Sequence, residues 1–64
     1  MKGILKKFST KGGYGFIIGD DERKYFVHYN DIINPLEIHI DSKIEFNRFL
    51  HEKGLQARKV RRIE

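Results

Sequence analysis

Short runs of alternating side chains constrain this sequence more than any other feature. In "YGFIIG", Tyr14, Phe16 and Ile18 point one way while Gly15 and Ile17 point the other. In "YFVHY", Phe26 and His28 share a face, opposed by Tyr25, Val27 and Tyr29. This is the two-residue period of a β-strand, carried by the aromatic and β-branched residues that suit one. Between the runs, "GDDERK" is polar and begins with glycine, as a hairpin loop does. Residues 13–19 and 24–29 are therefore expected to form an antiparallel pair.

The same pattern extends to both ends. A first strand is expected at 2–9, with Leu5 inward, and "STKGG" turns the chain back. A fourth strand is expected at 43–50, with Ile44 and Phe46 on one face. Arg48 breaks its alternation, and Phe49 with Leu50 suggests a bulge near its end. After the turn "HEKG", a fifth strand is expected at 55–63, with Leu55, Ala57 and Val60 inward. In "NDIINPLEIHID", at 30–41, Asn30 or Asp31 can cap a short helical turn that Pro35 ends or restarts. Ile32, Ile33, Leu36 and Ile38 are there to cover one end of the core. Five short strands without a long helix point to an all-β fold, a small antiparallel barrel whose closure removes exposed edges.

Sixty-four residues suit a single domain over 1–64 with a small core, since so short a chain buries only about 60% of its surface. Without cysteine, neither a disulfide nor a thiolate zinc site is available. His28, His39 and His51 lack the spacing of a metal cluster, so no metal and no cofactor is expected. "MKGILKKF" lacks the apolar core of a signal peptide, and no run reaches transmembrane length. A soluble, cytoplasmic monomer is expected, with neither a membrane nor a small-molecule substrate as partner.

The formal net charge is +4, and its distribution matters more than its size. Lys2, Lys6, Lys7 and Lys11 share residues 1–12 with no acid, and Lys53, Arg58, Lys59, Arg61 and Arg62 share 53–62 likewise. Solvated strand faces would account for both runs; so would a surface that binds a polyanion.

Strand parity then sharpens the choice. If Ile17 and Val27 are buried, Tyr14, Phe16, Phe26 and His28 lie together on the outside of the barrel. An exposed patch of rings calls for a ligand, and flat rings at strand spacing suit stacking on successive nucleobases. On this reading Gly13 and Gly15 leave the rings unshielded and let a ligand backbone approach. The competing assignments are core packing for Phe16 and Phe26, an ordinary amphipathic surface residue for Tyr14, and a satisfied strand histidine for His28. Tyr25 is expected to fill core space, and Tyr29 suits either role.

At these residues the sequence resembles the cold shock domains. "GGYGFI" is similar to that family's first ribonucleoprotein motif and "YFVHY" to its second. "GILKKFS" is similar to its first strand, and "EKGLQARKV" to its last turn and fifth strand. The resemblance implies a five-stranded oligonucleotide-binding (OB) barrel that holds single-stranded RNA or DNA with little sequence preference, commonly as an RNA chaperone. It implies stacking roles for Tyr14, Phe16 and Phe26, with His28 and Tyr29 closing the second motif. It further implies basic contacts from Lys6 and Lys53, an aromatic at Phe8 and a polar contact from Gln56. Lys11 and Arg58 add charge to the candidate surface.

The departures matter as well. Lys7 stands where the family usually has tryptophan, and Gly12 where it has lysine, a loss that Lys11 can partly replace. Tyr25 and Arg48 occupy aliphatic positions, Leu55 replaces a proline, and the 30–41 loop lacks an aromatic. Fewer rings and more charge predict weaker stacking and a steeper salt dependence. The rival readings are a protein-interaction barrel that has lost nucleic-acid binding and an initiation-factor-like barrel of the ribosome. An enzyme is not expected, because the only clustered carboxylates are in the "DDE" turn.

Overall fold

The computed structural model describes residues 1–63. Strands β1 (Lys2–Ser9), β2 (Tyr14–Gly19), β3 (Lys24–His28), β4 (Lys43–His51) and β5 (Gly54–Arg62) close into a barrel in the order β1–β2–β3–β5–β4. Four neighbouring pairs are antiparallel, whereas β3 and β5 run parallel. The sequence pattern leads one to expect antiparallel pairing throughout. Five strands cannot alternate direction around a closed ring, so one parallel pair is a necessity of closure.

The core follows the alternation. Leu5, Ile17, Tyr25, Val27, Ile44, Phe46, Ala57 and Val60 point inward and are buried, together with Ile38 from the β3–β4 connection. Tyr25 packs against Phe46 with the rings tilted and their centroids 5.0 Å apart, and its hydroxyl escapes the core by donating to Asp21 Oδ2 at 2.5 Å. An unpaired buried hydroxyl would be costly, so the β2–β3 turn supplies what lets a tyrosine fill an aliphatic position. That hydrogen bond holds the Asp21 carboxyl below its ordinary range.

Two bulges set the faces. On β1, Lys6 and Lys7 together oppose Phe16, which turns Lys7 outward and Phe8 inward opposite Gly15. On β5, Lys59 and Val60 together occupy the space opposite Phe46, and Lys59 adopts a left-handed backbone with φ of 52°. Ala57 and Val60 are three residues apart, so both can point inward only if one residue is extra. The irregularity thus lies at Lys59–Val60, not at Phe49–Leu50 as the sequence suggests. Arg48 and Leu50 have inward parity but stand exposed, Leu50 at 77%, where the β4–β5 hairpin outruns the core.

The β3–β4 connection carries two single 3-10 turns, Tyr29–Asp31 and Pro35–Glu37. His28 caps the first by accepting the Asn30 N–H at Nδ1, in place of Asn30 or Asp31. Pro35 starts the second, after Asn34 in a left-handed conformation. Ile38 and the half-buried Ile32 do cover the core, but Ile33 is exposed and Leu36 is 91% exposed. The register explains Ile33: its N–H is committed to the Val60 carbonyl at 2.7 Å, which pins the backbone beside β5 and leaves the side chain outside.

Candidate nucleic-acid interface

Strand register assembles one continuous row on the outer surface. Lys7 of β1 lies opposite Phe16 of β2, Phe16 opposite Phe26 of β3, Phe26 beside Gln56 of β5, and Gln56 opposite Phe49 of β4. A second row, Ser9–Tyr14–His28, runs beside it across β1, β2 and β3. Phe26 and Tyr14 are 47% and 58% exposed, which is unusual for rings with strand-wide apolar faces. Two shallow depressions flank them. One, of about 230 Å³, is lined by Lys7, Ser9, Tyr14, Gly15, Phe16 and Phe26. The other, of about 180 Å³, lies between Tyr14, Phe26, His28 and Gln56.

Cations border the rings. Lys24 Nζ lies 4.2 Å from the Phe16 centroid and 5.4 Å from that of Phe26. Arg58 places its guanidinium carbon 3.8 Å from the Phe49 centroid. The ion pairs among the described residues engage Lys6 with Asp41, Arg23 with Asp21 and Arg61 with Glu45, so none neutralises Lys7, Lys24 or Arg58. The rows thus combine ring surface, exposed at Tyr14 and Phe26, half-buried at Phe16 and partly met by Lys24 and Arg58, with positive charge that no carboxylate among the described residues pairs.

The remaining sequence candidates fall elsewhere. Lys6, the extra residue of the β1 bulge, turns toward Asp41 at 3.7 Å. Phe8 is half-buried and meets Tyr29 at 6.3 Å, and both line an apolar groove of about 750 Å³ under the β3–β4 connection. Lys11 is exposed in the β1–β2 turn, and Lys53 in the β4–β5 turn donates its backbone N–H to His51. Gly15 does not open the surface to a ligand. It faces inward, and a Cβ there would strike the Lys7 carbonyl and the Phe8 Cα, so its bareness serves the approach of β1. Gly13 turns the chain with φ of 71°.

Two further residues stand on this face without being among the sequence candidates, Lys24 and Phe49. Both were within reach of parity: Lys24 has the phase of Phe26 and His28, and Phe49 has the phase opposite to Ile44 and Phe46. The apparent bulge at Phe49–Leu50 concealed the second.

The 'Cold-shock' DNA-binding domain matches residues 1–63, essentially the whole chain. The chain is a cold-shock domain. Among solved structures, it is similar to the Drosophila protein described as Unr CSD456, with a TM-score of 0.81 over 98% of the present chain at 23% identity. That likeness shows a shared OB barrel, and the cold-shock domain described here spans only 26% of that longer chain. No curated protein matches the sequence. Membership of this family makes single-stranded nucleic acid the general ligand class of the domain.

Proposed function

We propose that this cold-shock domain binds single-stranded RNA or DNA with little sequence preference and keeps transcripts unpaired, as an RNA chaperone acting as a cytoplasmic monomer. The observation that carries the proposal is the outward row Lys7–Phe16–Phe26–Gln56 with Tyr14 and His28 beside it. Bases stack on Phe16, Phe26 and Tyr14, each worth about 1–3 kcal/mol whatever the base. Lys7 and Lys24 hold phosphates, and Lys6, Lys11, Lys53 and Arg58 extend the positive field along the strand's path. Phe8 and Tyr29 form a second, smaller ring surface beyond His28. No step needs a catalytic group; the domain works by holding a strand open.

The salt dependence of affinity for an unstructured oligonucleotide tests this. Each phosphate contact contributes about 0.7 to the log–log slope, so two contacts give a slope of about −1.4. A flat titration would exclude the proposed phosphate contacts. Opening of a labelled RNA hairpin tests the chaperone role: added protein is expected to raise the open fraction, and an unchanged fraction at saturation would reject it. The exposed Leu36, Ile33 and Ile40 favour one second reading, a protein-interaction barrel. That reading gains if no oligonucleotide binds even at low salt.

A further inference from the structure

The row of outward side chains does not end at Phe26. It passes through Gln56 to Phe49 on β4, where Arg58 lies against the ring. Arg58 is held from two directions, by the Phe49 ring at 3.8 Å and by Gln56 Oε1, which accepts from its Nη2 at 3.5 Å. Its position opposite Asn47 keeps it on the outer surface, and no carboxylate among the described residues pairs with it. Guanidinium planes and aromatic rings both stack on nucleobases, and a guanidinium fixed against a ring loses little freedom when it does so. At the opposite end of the row stands Lys7, a charge without a π-face.

We infer that Phe49 and Arg58 form an additional base-stacking subsite on β4, so that the bound strand runs past Gln56 and places one further base on this pair. The inference rests on the proposed binding of single strands. The platform that begins at Phe16 is extended toward β4 rather than toward β1. Gln56 sits between the Phe26 and Phe49 positions, where its amide can meet the sugar–phosphate backbone or a base edge as the strand crosses.

An abasic scan separates this from charge alone. Labelled heptathymidylates, each lacking one base, are titrated by fluorescence anisotropy into wild type, Phe49→Ala and Arg58→Lys, with thermal melts confirming that each variant folds. Phe49→Leu replaces the alanine variant if that one does not fold. In wild type, removal of the base seated on this pair is expected to weaken binding roughly tenfold. In Phe49→Ala, the intact heptamer is expected to bind roughly tenfold more weakly, and the abasic penalty at one end of the oligonucleotide disappears while the others persist. Arg58→Lys, which keeps the charge but not the plane, is expected to lose the same penalty with the salt slope unchanged. Equal binding by Phe49→Ala and wild type, or a uniform loss with every abasic penalty retained, overturns the subsite but leaves binding by Phe16 and Phe26 intact. Absence of binding by wild type overturns the single-strand reading itself, and the subsite with it.

Discussion

At Tyr25 a single hydroxyl couples the core to a surface turn. Its hydrogen bond to Asp21 and the Arg61 contact to Glu45 at 2.5 Å both favour ionised carboxylates in the folded state. Both carboxyl pKa values are lowered on folding, chiefly by the Tyr25 hydroxyl for Asp21 and by the Arg61 hydrogen bond for Glu45. Unfolded carboxylates titrate near pH 4, so this stabilisation is present above about pH 4 and fades as pH falls through the lower folded values. Thermal midpoints of wild type and Asp21→Asn are therefore expected to differ at pH 7 and to converge as pH falls through the lowered Asp21 value. A gap that stays constant with pH would contradict the coupling. Gly15 carries the other residue-scale prediction. Gly15→Ala forces a Cβ into the β1 backbone and is expected to cost about 1–3 kcal/mol in denaturant unfolding. A change below about 0.5 kcal/mol would mean that β1 can yield there.

The β3–β4 connection behaves differently from the strands at the scale of elements. Ile38 reaches the core and Leu36 does not, so Ile38→Ala is expected to lower stability by about 2–4 kcal/mol, whereas Leu36→Ser stays within about 0.5 kcal/mol. Chemical denaturation of the two variants checks both, and comparable losses would contradict the arrangement. The contrast also shows what the sequence can reveal. Strands announce their faces by parity, and Leu5, Ile17, Val27, Ile44 and Ala57 all obey it. An irregular connection has no period, so Ile32, Ile33, Leu36 and Ile38 read alike although only two of them are covered. Bulges defeat parity in another way. Lys6 and Lys59 are each one residue too many, and their effect is visible only through the partner strand that fails to keep step. The β1 bulge is also why Lys7 faces the rings while Phe8 turns toward the core. A resemblance to a family marks candidate rings in the sequence, but the register decides which of them share a surface.

Charge is partitioned across the whole molecule. Arg61 and Lys6 face carboxylates, whereas the cations beside Phe16, Phe26 and Phe49 have none within ion-pair reach among the described residues. A surface kept both apolar and positive is costly for a small domain unless a polyanion with flat bases covers it. On the proposed stacking, the rings and not the net charge supply the affinity. Anisotropy of a labelled unstructured heptanucleotide tests it most directly, titrated with wild type and with a Phe16→Ala, Phe26→Ala double variant of verified fold. Loss of two rings is expected to weaken binding by about 2–6 kcal/mol with the salt slope retained. Equal affinity for the two proteins would contradict the claim and leave the cations to hold the strand alone.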